Sequence, residues 1–163
     1  MQKFINQNKL YLLTWCLLFA YLPFAHTVYA KFFLPLTDGY PLVYEEKLPS
    51  ETKNIGGGFG KLTHVEKGLY RLSGWAFFKP DLDNTHFERW VVLQSDVKTY
   101  LFPVTMPTRQ IEVNISKEFI QPGSYQIGVL FKDKRNQAAY YRITNKLLVR
   151  TPNDLKMKNA KKN

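Results

Sequence analysis

The stretch RQIEVNIS, residues 109–116, decides the fold class of this chain. Its apolar residues Ile111, Val113 and Ile115 alternate strictly with polar ones. In a strand this alternation gives one apolar face and one polar face, whereas in a helix the three residues would be spread around the axis. We therefore predict a half-buried β-strand here.

The same alternation, bounded by turn-forming residues, predicts further strands on both sides of this stretch. These strands are Lys31–Leu36, Pro41–Tyr44, Leu69–Phe78, Phe87–Gln94, Thr99–Val104, Tyr125–Lys132, Ala139–Thr144 and Leu147–Arg150. Beyond the N-terminal segment no stretch has a helical period. The pattern predicts an all-β fold, an antiparallel immunoglobulin-like β-sandwich of about seven to eight strands, with a small barrel as the alternative.

Two short motifs resemble those of bacterial secreted immunoglobulin-like or fibronectin-like modules. They are the strand motif SGWA at residues 73–76 and the turn-into-strand PGSYQI at residues 122–127. The resemblance covers roughly residues 65–150 and concerns the architecture. It implies a β-sandwich and an exported protein, and it implies no particular activity.

Residues 1–30 have the pattern of a signal peptide. Lys3 and Lys9 precede the apolar run Leu10–Ala25, and the motif Val28-Tyr29-Ala30 suits cleavage after Ala30. The alternative is an uncleaved membrane anchor, although the apolar run is shorter than the ~20 residues that span a bilayer comfortably. We expect an exported bacterial protein that is periplasmic, cell-surface or secreted.

Composition divides the rest of the chain into three parts. We expect edge strands and a glycine-rich loop in residues 31–64, the sandwich in residues 65–150, and a disordered basic tail in residues 151–163. The net charge is +10, and the tail carries much of it. Because the other basic residues are scattered, we expect no nucleic-acid partner, and membrane contact only through the N-terminal segment or the tail.

The motifs that suggest chemistry are incomplete. The run GGGFGK at residues 56–61 lacks the following Ser or Thr and the helix of a phosphate-binding loop, so we expect a mobile loop there. Asp81, Asp83 and Asn84 are a calcium candidate, and the alternative is that they form a turn. Cys16 is the only cysteine, and the histidines lie in no catalytic motif. We therefore predict no cofactor and no catalytic residue.

Aromatic residues on the predicted strands are the candidates for a binding role. Neighbouring residues of a strand face opposite sides, so one member of the pair Tyr140-Tyr141 must point outward. We expect Trp75 to fill the core. The candidate binding residues are Trp90, Tyr100, Tyr140 and Tyr141, with Arg89 and Arg142 beside them.

These observations predict an exported, non-catalytic β-sandwich that acts as a binding or adaptor protein. The expected partner is a protein or a polysaccharide of the cell envelope, bound through a strand face or an exposed edge. The alternatives are a structural subunit of a membrane-anchored assembly, a carbohydrate-binding module and, last, a small hydrolase.

Overall fold

The computed structural model describes residues 39–160 except 82, 106 and 107, together with residues 15, 19, 21, 24 and 25. The side chain of Asn84 is also outside the description. The predicted signal peptide, apart from those five helical positions, and the predicted strand Lys31–Leu36 lie outside the described residues. The chain divides into two compact units, Met1–Thr37 and Asp38–Asn163.

The second unit is all-β, as the alternation predicts. Its described residues form nine strands and two short 3₁₀ turns, at Asn84–His86 and Lys117–Phe119. The strands are β1 (Leu42–Tyr44), β2 (Ile55–Glu66), β3 (Leu69–Phe78), β4 (Phe87–Gln94), β5 (Thr99–Pro103), β6 (Gln110–Ser116), β7 (Gly123–Asp133), β8 (Ala139–Arg150) and β9 (Leu155–Asn159). Across the described part of the chain, no helix has the length and apolar character needed to cross a membrane.

The strands form two antiparallel sheets. One has six strands in the order β1-β5-β4-β7-β8-β9, and the other has three strands in the order β2-β3-β6. The short strand β1 lies at an edge of the larger sheet, as its proline-marked sequence predicts. In the smaller sheet β3 is central, with β2 on one side and β6 on the other. The side chains of β3 point alternately to the two faces of this sheet.

One hydrophobic core joins the inner faces of the two sheets. The three-stranded sheet contributes Leu72 and Ile111, and the six-stranded sheet contributes Val91 and Phe131, all of them fully buried. The apolar residues of RQIEVNIS lie in this core, so the stretch is the half-buried strand that its alternation predicts.

The six-stranded sheet has a second apolar cluster on its other face. Val92, Leu101, Leu130 and Tyr141 are buried there, and Leu48 packs against them. Leu48 belongs to residues 45–54, which connect β1 to β2. This connection is held to β8 by the hydrogen bond from Thr52 N to Tyr141 O, at 2.8 Å. The six-stranded sheet is therefore covered on both of its faces.

Two predictions of irregular structure are wrong. Residues 56–60 lie inside β2 and pair with β3, so they are not a mobile loop. In the predicted disordered tail, β9 pairs with β8, and Leu155 is buried in the core. Glycines carry no side chain to show a period of two, and β9 is short and rich in lysine, which explains why neither pattern indicates a strand.

Candidate functional site

The outer face of the three-stranded sheet consists of side chains directed away from the core. On β3 the buried residues Tyr70, Leu72, Ala76 and Phe78 alternate with less buried ones. The register extends this outer face across all three strands. Its members are Lys61, Thr63 and Glu66 on β2, Leu69, Arg71, Ser73, Trp75 and Phe77 on β3, and Gln110, Glu112, Asn114 and Ser116 on β6.

Two aromatic rings lie side by side at one end of this outer face. Trp75 and Phe77 have ring centroids 5.7 Å apart and ring planes only 16° from parallel. Trp75 is 51% exposed. Because the rings are two residues apart on one strand, they project from the same face of the sheet, and there they stack against each other. The exposed aromatic area of the pair belongs mainly to Trp75. With Arg109 these residues form what we call the aromatic patch.

Arg109 gives the aromatic patch a positive charge. Its guanidinium carbon lies 5.3 Å from the centroid of the Phe77 ring, a cation–π geometry. Its backbone carbonyl accepts a hydrogen bond from Ala76 N at 2.9 Å, which holds it beside β3. An exposed cation therefore borders the rings on the side of β6.

Glycines on β2 make room for the aromatic patch. Gly56 pairs with Phe77, and a Cβ atom added to Gly56 would lie 2.7 Å from the phenyl ring. Gly58 pairs with Trp75, and nothing lies within 4 Å of the place where its Cβ atom would be. The ring of Phe77 thus rests on the backbone of β2, while the space above Gly58 beside Trp75 is open.

Polar groups continue the outer face beyond the aromatic patch. Gln110 pairs with Trp75. The next position on β3, Ser73, has Lys61 on one side and Glu112 on the other. Farther along β3, Arg71 Nε donates to Asn114 Oδ1 at 3.1 Å. The face therefore joins apolar rings at one end to amides, a hydroxyl and charged groups at the other.

The residues predicted from the sequence as a binding surface lie elsewhere, and half of them are buried while the others are partly buried. Tyr100 is 2% exposed and Tyr140 packs against the main core. Tyr141 is 3% exposed in the outer cluster, where Trp90 is half-buried. The exposure on which this prediction rests is therefore wrong for Tyr100, which lies in the main core, and for Tyr141, which the outer cluster buries.

The two predicted arginines serve internal contacts. Arg89 is 4% exposed, and its Nη1 donates to Thr108 O at 2.6 Å, while burial lowers the pKa of its guanidinium. Arg142 Nη1 donates to the carbonyl of Ile55 and so links the two sheets. Neither guanidinium forms the edge of an exposed aromatic platform.

The acidic segment after β3 is tied to its own neighbours. Asp81 Oδ1 accepts from Asp83 N and Asp83 Oδ1 accepts from Thr85 N, both at 3.1 Å, as in the turn alternative. Asp81 Oδ2 also lies 3.1 Å from His86 Nε2. Among the described residues, no group of three or more His, Cys, Asp or Glu side chains has the arrangement to hold a metal ion.

The prediction that Trp75 fills the core is wrong. Ala76 is fully buried, whereas its neighbour Trp75 is 51% exposed. Successive side chains of a strand point to opposite faces, so Trp75 lies on the outer face of the sheet. The spacing within β3 does indicate this. Leu72, Ala76 and Phe78 are separated by even numbers of residues and so lie on one face of the strand, whereas Trp75 lies on the other face.

No protein-family model, no curated protein and no solved structure significantly matches the chain. No role is therefore transferred from a relative.

Proposed function

We propose that this chain is an exported, non-catalytic binding protein that holds a partner from the bacterial cell envelope on its aromatic patch. The observation that carries the proposal is the half-exposed Trp75 ring, parallel to Phe77 and bordered by Arg109. Tryptophan and arginine are enriched among the residues that dominate binding energies.

Burial of Trp75 by a partner supplies a substantial part of a binding free energy. A tryptophan side chain buries up to about 250 Å². Covering the exposed half at about 25 cal/mol per Å² contributes up to about 3 kcal/mol. Part of this is offset by the cost of ordering the groups that meet at the interface, so the net effect on affinity is smaller. In the folded monomer this ring contributes little through its exposed half, so its position on the surface is better explained by binding than by stability.

The proposal includes an immunoglobulin-like sandwich, and the strand order supports it. The orders β2-β3-β6 and β5-β4-β7-β8 correspond to strands A-B-E and C′-C-F-G of that fold. Strands β1 and β9 are then additions at the two edges of the larger sheet. Such sandwiches are often used as recognition modules, although the fold alone names no ligand.

A tyrosine near the start of β7 gives separate support for this fold. Tyr125 Oη donates to Gln121 O at 2.7 Å, four residues upstream. This bond has the form of the tyrosine corner at the start of strand F in immunoglobulin-like domains. Burial raises the pKa of Tyr125 to about 12, in keeping with a hydroxyl held inside the protein.

Export is supported by the sequence of residues 1–30. The absence of cysteine from the rest of the chain favours a bacterial source, because small exported domains of eukaryotes more often carry disulfide bonds. A domain of this size forms an adequate core without disulfide bonds. We therefore propose that the protein works outside the cytoplasm, in the periplasm, at the cell surface or in the medium.

The proposal is tested by retention of envelope material on the full chain, purified as its host exports it. We expect Trp75→Ala to lower the retained material about tenfold, because the variant removes the ring that the partner covers. The matched control is Val97→Ala, which truncates another exposed apolar side chain, at the tip of the β4–β5 hairpin. Equal retention by the two variants would contradict the proposal.

A further inference from the structure

We infer that the partner is an extended acidic polysaccharide that lies along β3 on the outer face of the three-stranded sheet. The inference rests on the proposed function and adds the chemical class of the ligand. It follows from three properties of the outer face, namely the exposed ring of Trp75, the row of polar groups and the charge.

The shape of the aromatic patch suits a sugar ring. A pyranose has a flat face of C–H groups, which packs on the negative face of an aromatic ring, and hydroxyl groups around its rim. Trp75 offers such a ring: its indole is 51% exposed and is supported from behind by Phe77, with the two ring planes 16° from parallel. The open space above Gly58 allows a sugar to lie flat beside Trp75 without contact with a β2 side chain.

The polar groups of the outer face extend this surface in one direction. From Phe77 to Arg71 the strand advances six residues, which is about 20 Å of β-structure. Along this length Gln110, Ser73, Glu112 and Arg71 present donors and acceptors on β3 and β6. A linear chain of several sugars has a matching row of hydroxyl groups, so each sugar beyond the rings meets a hydrogen-bonding side chain.

The charge of the outer face indicates an anion. The exposed bases Lys61, Arg71 and Arg109 outnumber the two exposed acids of this face, Glu112 and Glu66. The net charge of the whole chain has the same sign, at +10. A polymer that carries carboxylates is attracted by this surface, and the attraction weakens as salt screens it.

A protein partner fits the outer face less well. A stable protein interface buries about 800 Å² on each partner and has an apolar centre depleted in charged residues. On the outer face, the large exposed apolar area is that of Trp75 with Phe77 behind it, and the neighbouring row is Lys61, Ser73 and Glu112. This mixture of two rings and many polar groups is better suited to a polyhydroxylated ligand.

The test is calorimetric titration of the full chain, purified as exported, with alginate, hyaluronate and polygalacturonate, and with dextran as the neutral polymer. We expect binding of at least one acidic polymer, weaker binding of dextran, and loss of affinity between about 0.1 M and about 1 M salt. Trp75→Ala should weaken binding about tenfold, and Trp75→Phe should restore much of it.

Charge variants separate a specific site from general attraction. Lys61→Gln, on the outer face, should weaken binding several-fold, whereas Lys134→Gln, in the turn between β7 and β8, should leave it unchanged. Equal effects of the two variants would overturn the inference, because net charge alone would then explain the binding. Circular dichroism spectra verify that each variant is folded.

The outcomes also distinguish this inference from the proposed function. If none of the polymers binds, the polysaccharide class is overturned, and if dextran binds as well as the acidic polymers, the acidic character of the ligand is overturned. If envelope material is still retained and Trp75→Ala still abolishes its retention, the proposed function stands with a different partner. Retention that is insensitive to Trp75→Ala overturns both.

Discussion

At the scale of single residues, Gly74 on β3 and Gly58 on β2 are close to each other but differ in the space available for a side chain. A Cβ atom on Gly74 would lie 2.5 Å from Gly58 O and 3.0 Å from Phe59 Cα, both of which are backbone atoms of β2. Around the Cβ position of Gly58 there is open space. The close approach of β2 to β3 therefore depends on Gly74 and does not depend on Gly58.

This difference predicts opposite effects of alanine at the two positions. Gly74→Ala should lower the free energy of unfolding by about 1 to 3 kcal/mol, because the strands must separate to admit the methyl group. Gly58→Ala should change it by no more than about 0.5 kcal/mol in the destabilising direction. Urea denaturation measures both values, and similar losses in the two variants would contradict the packing described here.

An ion pair between the buried Asp133 and the exposed Arg135 makes the stability depend on pH in the acid range. Asp133 is buried, and Arg135 donates Nε to Oδ1 at 3.0 Å and Nη2 to Oδ2 at 2.8 Å. These hydrogen bonds from Arg135 hold the pKa of Asp133 at about 2, below its ordinary value of 3.8. A lowered pKa means that the folded state favours the carboxylate, so this contribution is present above pH 3.8 and lost as pH falls through about 2.

We therefore predict that Asp133→Asn lowers the Tm at neutral pH and that its difference from the unmodified protein shrinks as pH falls from about 4 to about 2. Thermal unfolding followed by circular dichroism across this range measures the difference. Asp96→Asn, an exposed position in the β4–β5 hairpin, is the control. A deficit in Asp133→Asn that is the same at every pH would show that the ion pair is not its cause.

At the scale of strands, β9 completes the larger sheet and seals one end of the core. Leu155 is 3% exposed in the main core. The turn before it is held by Tyr70 Oη, which donates to Asp154 Oδ1 at 2.8 Å. This contact crosses from the three-stranded sheet to the last connection of the six-stranded one, so β9 is joined to both sheets.

The docking of β9 predicts a large cost for truncating its buried side chain. Leu155→Ala should destabilise the protein by about 2 to 5 kcal/mol, because it removes buried apolar area and leaves a cavity. Lys158→Ala, an exposed position on the same strand, should change stability by less than about 0.5 kcal/mol. A small effect of Leu155→Ala in denaturant unfolding would mean that β9 is not part of the cooperative fold.

The strands that sequence predicts well are those with clear alternation on one buried face. Residues 69–78 and 87–94 are predicted with the observed ends, and the stretch around residue 111 is one residue too long. The segments predicted at residues 139–144 and 147–150 are a single strand, β8. β2 was missed because Gly56, Gly57 and Gly58 have no side chains to alternate, although their backbone pairs regularly with β3.

At the scale of the whole molecule, the two sheets differ in what covers their outer faces. Alternation along a strand divides its residues between two faces, but it does not show whether a connection covers one of them. Residues 45–54 cover the larger sheet, so Tyr141 and Trp90 lie in a second cluster. The smaller sheet leaves Trp75 exposed. Alternation alone therefore does not identify the candidate site, because the segment that covers a face can lie far away along the chain.

The central claim is that a partner covers Trp75, and tryptophan NMR tests it most directly. The full chain, labelled with ¹⁵N at the tryptophan indoles and purified as exported, is titrated with envelope material from its source. Trp75→Phe assigns the indole signal of Trp75, and Trp90 in the other sheet is the internal reference. We predict that the Trp75 signal shifts or broadens while the Trp90 signal does not move. A partner that binds and leaves the Trp75 signal unchanged would contradict the account.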